Sequence, residues 1–370
     1  MRGSVRRAAR RGALATAAGG LCVVSACGAG PSAPALALSR MPATLPYLLM
    51  TSPSIGYATW PSGDQWVLLA TRDGWRTISN ATPVAVPTGG GLVVAAASGE
   101  IAAAVGPYHR LTVSPVLRRS VSSAVWQPAQ LPDAVVDDRS AVALRAGRVT
   151  AVTAAAGGTV VAADGGGWAS LVTGRQLGGD GLHLQTVTWA NARVGWVTGH
   201  GRAGSRVAFQ TVDAGAHWSP LPVTGAATIV ALAPCGAGLR WLLPVVGDGD
   251  IRIWRTKDQG RNWTSGAALP LAAGAPAWGC AGISVWMSAP SKGHDYVFAS
   301  ADGGRSWKNQ GTAPAGLESL TLAGDGNGYA ISQAGSTDTL WAVSGGGATF
   351  TSRVVPGWVA SIGAASGSLS

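Results

Sequence analysis

Paired carboxylates are the side chains in this sequence best suited to catalysis. The close acidic pairs are Asp137 with Asp138 and Asp248 with Asp250. Glycoside hydrolases place two carboxyl groups roughly 5 to 10 Å apart across a cleft. Both pairs lie in glycine-rich or polar stretches, where aspartates more often serve solvated turns. We therefore predict that the protein is not an enzyme. The alternative is a divergent carbohydrate-active enzyme, a glycoside hydrolase that uses loop carboxylates.

Motifs for other chemistries are absent from the sequence. No serine lies in a Gly-x-Ser-x-Gly elbow, and there is no His-Glu-x-x-His or Cys-x-x-Cys string. Glycine-rich runs such as 165–167 do not open a helix after a strand, so they do not predict a dinucleotide site. Only 12% of the residues are charged, without the dense Lys/Arg cluster that nucleic acids require. We expect no cofactor, no metal ion and no nucleic-acid partner.

An eight-residue pattern, Ser/Thr-x-Asp-x-Gly-x-x-Trp, recurs along the chain. Residues 211–218, 256–263 and 300–307 match it fully, and residues 71–78 match it in part. Eroded copies cover 162–169 and 343–350, and a seventh ends at Trp126. The copies end 43 to 49 residues apart, about one four-stranded sheet per interval. The residues assigned to these turns are Asp73, Asp164, Asp213, Gly215, Trp218, Asp258, Gly260, Trp263, Asp302, Gly304 and Trp307.

A second element keeps the same interval. Aromatic strand segments such as Gly56-Tyr57-Ala58 and Gly195-Trp196-Val197 precede the aspartate turns at a fixed distance. Both elements count seven units, and the Val, Thr, Trp and Gly content favours strands over helices. The sequence thus predicts an all-β fold over residues 45–370, a seven-bladed β-propeller of four-stranded antiparallel blades. In each turn the aspartate should accept backbone N–H bonds, and the final tryptophan should pack between sheets.

These turns resemble the Asp-box, or BNR, repeats of sialidase-like propellers, and also the propellers of photosystem II assembly factors. The resemblance implies that each turn joins the third and fourth strands of a blade. The resemblance does not imply sialidase activity. The segment most similar to the arginine-containing motif of that family is Ile251-Arg252-Ile253-Trp254, which lacks the proline of the motif and lies in the middle of the chain. Residues 358–370 read like a second innermost strand beside Tyr47–Thr51, so one terminus is expected to complete the sheet of the other.

The N-terminal segment has the layout of an export signal. Arginines precede the apolar stretch Ala13–Ala26, so residues 1–26 are predicted to be a signal peptide. Val24-Ser25-Ala26-Cys27 resembles a bacterial lipobox, which implies lipidation at Cys27. The alternative is ordinary cleavage near Ala26 that leaves a free thiol. Residues 27–44 then form a flexible linker. We expect the protein to be a monomer that lies on the outer face of the cytoplasmic membrane or is secreted. It should contact the membrane only through its lipid.

Two further cysteines occupy equivalent positions in adjacent repeats. Cys235 and Cys280 each lie six residues before the aromatic residue of their repeat, Trp241 and Trp286. Adjacent blades approach each other most closely near the propeller axis, so an oxidising compartment favours a disulfide between them. The alternative is two buried thiols.

The loops that join strands two and three should emerge on the face opposite the aspartate turns. These loops are polar and form the candidate binding face, although polarity alone is also ordinary for loops. We therefore predict a scaffold that binds or assembles another protein or a cell-envelope polymer. The candidate residues are Asp64, His109, Arg110, His200, Arg202, Arg206, Asp248, Asp250, Lys292, His294, Asp295 and Asp338.

Overall fold

The computed structural model describes most of the repeat region. The described residues are 47–63, 65–83, 86–87, 92–97, 99–105, 116–129, 142–153, 158–164, 167–201, 206–221, 228–229, 233–235, 241–246, 250–258, 260–270, 276–291, 294–324 and 326–359. The predicted signal peptide, the linker and Cys27 lie outside them.

Seven antiparallel sheets follow one another along the chain, and their strands pair in sequence order. Blade 1 has β1 (Tyr47–Met50), β2 (Gly56–Ser62), β3 (Gln65–Thr71) and a fourth strand in two pieces, β4 (Ser79–Asn80) and β5 (Val86–Pro87). Blade 2 has β6 (Leu92–Ala97), β7 (Glu100–Val105), β8 (Val116–Ser120) and β9 (Gln127–Ala129). Blade 3 has β10 (Val142–Arg145), β11 (Arg148–Thr153), β12 (Thr159–Asp164) and β13 (Gly167–Thr173). Blade 4 has β14 (His183–Trp189), β15 (Gly195–His200), β16 (Arg206–Thr211) and β17 (Ser219–Pro220).

The remaining three blades follow the same plan. Blade 5 has a first strand in two pieces, β18 (Thr228–Ile229) and β19 (Ala233–Pro234), then β20 (Trp241–Val246), β21 (Asp250–Thr256) and β22 (Thr264–Pro270). Blade 6 has β23 (Trp278–Ala281), β24 (Ser284–Ser291), β25 (His294–Ser300) and β26 (Lys308–Thr312). Blade 7 has β27 (Leu317–Gly324), β28 (Asn327–Ala334), β29 (Thr337–Ser344) and β30 (Thr349–Arg353). The predicted fold class is confirmed.

Strand direction alternates within each blade, so every sheet has two distinct edges. The turns after strands one and three share one edge, which we call the turn face. The loops after strands two and four share the other, which we call the loop face. Between blades 3 and 4 the loop-face connection contains α1 (Gly174–Gly178), which begins with a reciprocal capping box between Thr173 and Gln176. No helix among the described residues has the length and apolarity to cross a membrane.

The middle strands of a blade are hydrophobic on both faces because both faces are buried. In β3, Val67, Leu68 and Leu69 are all fully buried, although successive side chains point to opposite sides of the sheet. Both sides are covered because each blade stacks between two others. Outer strands such as β26 are mostly exposed, and their sequence, Lys-Asn-Gln-Gly-Thr, is polar.

The described apolar side chains form seven clusters, and each cluster joins two adjacent blades. Leu68 of blade 1 packs with Ile101 of blade 2, for example. At the other side of blade 1, Val67 packs with Ile331 of blade 7. Seven junctions for seven blades mean that the ring is closed.

Among the described residues, ring closure differs from the sequence prediction, and residues 360–370 of the predicted second innermost strand lie outside them. Blades 1 and 7 are each built from their own consecutive strands, and no described strand from either end of the chain joins the sheet of the other. Trp358 and Val359 form a helical turn instead of a strand, and they pack between the two blades. The two sheets are joined by side chains: the Leu48 amide donates to Ser319 Oγ (3.2 Å), and Tyr329 Oη donates to the Gly74 carbonyl (3.0 Å). Trp358 and Val359 fit the apolar pattern of a strand, but they are covered by side-chain packing between blades 1 and 7.

Blades 5 and 6 are also linked covalently. Cys235 and Cys280 form a disulfide with their Cα atoms 5.2 Å apart, within the normal range for such bonds. Cys235 is buried in the apolar cluster between the two blades. The alternative of two free thiols is therefore wrong for this structure.

Candidate functional site

The aspartate turns are closed hydrogen-bond systems. In blade 4, Thr211 Oγ1 accepts from the Gly215 amide (2.9 Å) and donates to Asp213 Oδ1 (2.8 Å). The same carboxylate oxygen accepts from the His217 amide (2.9 Å). Thr256 and Ser300 begin equivalent turns in blades 5 and 6. The carboxylate thus satisfies backbone donors that would otherwise lack partners.

A further turn position, four residues after the aspartate, was not recognised in the sequence. Its side chain contacts the second carboxylate oxygen: His217 Nδ1 lies 2.6 Å from Asp213 Oδ2, and Asn262 Nδ2 donates to Asp258 Oδ2 (2.6 Å). Thr77 and Ser306 do the same in blades 1 and 6. The sequence did contain this signal, because the position before the last residue of the motif is polar in all four copies.

These hydrogen bonds keep the turn aspartates ionised. The His217 backbone N–H, followed by its ring, lowers the pKa of Asp213 to about 2. The Asn262 backbone and side chain likewise lower the pKa of Asp258 to about 2. A carboxylate committed to local donors and charged at neutral pH is a structural acceptor, unsuited to acid–base catalysis.

Each turn glycine lies against the preceding blade. Gly260 and Gly304 have φ values of +86° and +81°. A Cβ at Gly304 would lie 2.6 Å from Ile253 Cβ of blade 5, and one at Gly260 would overlap the Gln210 side chain of blade 4. Glycine is therefore required by backbone conformation at both positions, and at Gly304 also by the contact between blades.

Blades 1 and 3, which each contain a predicted turn aspartate, depart from the turn pattern. In blade 1 the glycine position is Trp75, which has φ +62° and is buried in the cluster between blades 1 and 7. In blade 3, Asp164 is the last residue of β12 and pairs in register with Gly167. It is thus a strand residue, unlike the other predicted turn aspartates, and its side chain lies outside the described residues. Because the motif in this blade is degenerate, it gave no indication that the connection between β12 and β13 is shorter than in the other blades.

The predicted binding face is described only in part. His200, Asp250, His294, Asp295 and Asp338 lie at strand ends on the loop face. His200 pairs in register with His183, which the sequence did not single out. The side chains of the other candidates lie outside the described residues: Asp64, His109, Arg110, Arg202, Arg206, Asp248 and Lys292.

Asp250, one member of the acidic pair noted in the sequence, has a local cationic partner. Its Oδ2 accepts from Arg252 Nη2 (3.2 Å) and Nε (3.3 Å) on the same strand. This ion pair is partly exposed and therefore contributes little to stability. The Arg252 guanidinium nevertheless offsets the negative charge of Asp250.

Three other carboxylates interact on the loop face of blades 6 and 7. We call Asp295, Glu318 and Asp338 the acidic cluster. Asp295 Oδ2 accepts from the Gly316 amide (3.0 Å), and Asp338 Oδ1 accepts from Gln333 Nε2 (3.2 Å). Among the described residues, none of the three forms an ion pair, and no group of three acidic, histidine or cysteine side chains is arranged to hold a metal ion.

Burial raises the pKa of two members of this cluster, and nearby negative charge adds to the shift for one of them. Desolvation, followed by the charges of Asp338 and Asp295, raises the pKa of Glu318. Desolvation also raises the pKa of Asp338, partly offset by the Gln333 hydrogen bond. Glu318 and Asp338 therefore favour either a proton or a cationic partner. Glu318 was not predicted as a site residue, since only the stacking of blade 7 on blade 6 brings it near Asp295.

Comparison with known proteins supports the fold. No protein-family model matches the chain, and no curated protein is a significant sequence match. A solved structure of YCF48 bound to D1 peptide aligns with a TM-score of 0.53 at 18% identity, covering 80% of this chain and 92% of that one. YCF48 from Cyanidioschyzon merolae aligns with a TM-score of 0.53 at 16% identity, covering 79% and 94%. A prolyl endopeptidase structure aligns with a TM-score of 0.59 at 10% identity, covering 85% of this chain and 51% of that one.

The protein is therefore a seven-bladed β-propeller. At these identities the likeness extends to the architecture and does not assign an activity.

Proposed function

We propose that this protein is an exported, lipid-anchored, non-enzymatic β-propeller that acts as a binding scaffold for another protein at the cell envelope. The partner segment carries lysine or arginine side chains, and it docks on the loop face of blades 6 and 7. Export and anchoring follow from the predicted signal peptide and Cys27.

The acidic cluster is the observation that carries this proposal. Asp295, Glu318 and Asp338 belong to two adjacent blades and lack a cationic partner among the described residues. A cation from a partner relieves their repulsion, and it favours the ionised form of Glu318. Complementary charge of this kind chiefly determines specificity and association rate.

The face has a further property suited to protein recognition. His183 and His200 on blade 4, Asp250 and Arg252 on blade 5, and His294 on blade 6 continue the polar surface across neighbouring blades. An extended polypeptide can contact several blades at once. The YCF48 structure with a bound D1 peptide is an example of a protein of this fold in complex with a peptide.

Crosslinking in intact cells tests the proposal, with the predicted anchor preserved. The test variant combines Asp295→Asn, Glu318→Gln and Asp338→Asn, which remove charge but retain size. The control is Asp180→Asn, an exposed acid on the loop face whose partner is Arg175. We expect one dominant crosslinked protein for wild type and control, with a basic segment at the crosslink, and its loss in the triple variant. An unchanged crosslinking pattern in the triple variant contradicts the proposal.

The second candidate function is glycoside hydrolysis. The raised pKa values of Glu318 and Asp338 favour it, because a carboxyl group that retains its proton can act as a general acid. Purified wild type would then hydrolyse a member of a glycan panel, and Glu318→Gln would lower the rate by about 10²- to 10⁴-fold. If the wild-type protein hydrolyses no glycan and the crosslinking result is as expected above, the binding-scaffold function is favoured.

A further inference from the structure

A cationic cleft lies on the turn face between blades 5 and 6, opposite the acidic cluster. It has a volume of about 190 Å³, and it lies between the aspartate turns of the two blades and the turn after β23. Its lining residues are Arg255, Thr256, Lys257, Gly282, Ile283, Asp302, Gly303 and Arg305. Three of these side chains are cationic and one is acidic.

The single carboxylate in the cleft does not neutralise the cations by ion pairing. Asp302 Oδ1 accepts from Ser300 Oγ (2.7 Å), the Arg305 amide (2.8 Å) and the Ser306 amide (3.0 Å). Asp302 Oδ2 accepts from Ser306 Oγ (2.7 Å). Both oxygens thus serve the turn of blade 6. Among the described residues, Arg255, Lys257 and Arg305 form no ion pair.

Arg255 is held in place at the cleft. Its Nη1 donates to the Gly303 carbonyl (3.4 Å), and its side chain is partly buried, whereas Lys257 and Arg305 are exposed. Desolvation, followed by the nearby charge of Arg305, lowers the pKa of Arg255, and the Asp302 carboxylate partly offsets this. Two like charges are therefore close to each other, which an anion between them would stabilise.

The equivalent cleft between blades 1 and 2 provides a comparison within the molecule. Its lining contains one cation, Arg72, which follows the turn threonine as Lys257 does in blade 5. Arg72 Nη2 donates to the Val121 carbonyl (2.7 Å), so it links the two blades. The concentration of three cations is a feature of the junction between blades 5 and 6, beyond what the fold requires.

We propose that the cleft between blades 5 and 6 binds a phosphate group through Arg255, Lys257 and Arg305. The lining carries a net charge of +2, which a free phosphate dianion balances fully and the single charge of a lipid phosphodiester balances in part, and guanidinium groups match the oxygen atoms of both. The group belongs either to free phosphate or to the headgroup of an anionic lipid. Ile283, 44% exposed beside the cations, provides an apolar contact that only the lipid would use.

Two binding measurements on the full chain test this proposal and distinguish the sources. Cys27→Ala is included throughout, so that no acyl chain contributes to membrane binding. Calorimetry with inorganic phosphate at constant ionic strength measures the free anion. Flotation with vesicles of phosphatidylglycerol, compared with phosphatidylcholine, measures the lipid headgroup.

Lys257→Gln combined with Arg305→Gln is the test variant, and Arg72→Gln is the matched control. We expect the test variant to bind at least about tenfold more weakly, since each hydrogen bond to a charged group contributes about a tenfold factor in affinity. The control should bind like wild type. Binding of inorganic phosphate assigns a free phosphate, whereas binding of phosphatidylglycerol vesicles alone, weakened by Ile283→Ser, assigns a lipid.

The proposal is overturned if wild type binds neither probe, or if the test variant binds as well as wild type. Equal binding to phosphatidylcholine vesicles overturns it as well, because such binding would not depend on net anionic charge. The variants change exposed side chains, and unchanged thermal unfolding excludes a folding defect. None of these outcomes depends on the acidic cluster or on the proposed protein partner.

Discussion

Gly304 in the aspartate turn of blade 6 packs directly against Ile253 in the third strand of blade 5. A Cβ on Gly304 would lie 2.6 Å from Ile253 Cβ, and the Gly304 carbonyl accepts a hydrogen bond from the Ala267 amide of blade 5 (2.9 Å). The turn motif thus contributes to the assembly of neighbouring blades as well as to the conformation of its own loop.

Replacement of this glycine should separate the two contributions. We expect Gly304→Ala to destabilise the fold by about 1–2 kcal/mol through the positive φ and by a further 1–3 kcal/mol, roughly, through overpacking. Gly346→Ala is the matched control, because Gly346 has φ +72° but a Cβ there would have no other atom within 4 Å. Urea unfolding of both variants gives the difference. Equal losses would show that the blade contact contributes nothing.

Removal of the disulfide should reduce stability substantially. Cys235 and Cys280 are 45 residues apart, and the loss of loop-closure entropy in the unfolded chain predicts about 4 kcal/mol as an upper value. We expect the variant with both cysteines changed to serine to unfold at lower denaturant concentration than oxidised wild type. Reductant should bring wild type to the same midpoint and leave the variant unchanged. A midpoint in wild type that does not respond to reductant would contradict this.

Acid should destabilise the propeller over a defined pH range. The turn aspartates Asp73, Asp213, Asp258 and Asp302 have pKa values of about 2, below the ordinary value of 3.8. Because the folded-state values are depressed, their stabilising contribution is fully present above about pH 4 and is lost as the pH falls from about 3.8 to 2. Thermal unfolding measured across this range should show a falling midpoint. The Asp258→Asn variant should show a smaller dependence, since one of the four groups no longer titrates.

Trp75 should be essential for the junction between blades 1 and 7. It adopts φ +62°, a conformation unfavourable for a bulky residue, and its side chain is only 2% exposed. Trp75→Gly relieves the backbone but empties a large volume, so we expect a net loss of about 2–4 kcal/mol. Trp75→Phe retains part of the packing and should lose less. A more stable glycine variant would show that backbone strain outweighs packing here.

The strand order was predictable because each blade repeats the same short sequence elements at a regular interval. Gly195-Trp196-Val197, the aromatic segment identified in the sequence, begins β15, the second strand of blade 4. The turn aspartates followed from a motif whose hydroxyl, carboxylate and glycine interact within a few residues.

Other features depend on contacts between distant residues. Glu318 meets the charges of Asp338 and Asp295 only after blade 7 stacks on blade 6, so no local pattern marks it. Trp358 and Val359 lie in an apolar run that is too short to distinguish a strand from a packed turn. No local pattern indicated that one cleft would collect Arg255 and Arg305 from different repeats.

Blades 1 and 7 share no strand in the part of the chain that the structure describes, and this has a mechanical consequence. These two sheets can part at their junction without breaking a ladder of backbone hydrogen bonds, in contrast to a ring in which one sheet contains strands from both ends of the chain. Tension applied to the N-terminal side of β1 would act on this seam first, and amide exchange in blade 1 would then report the opening.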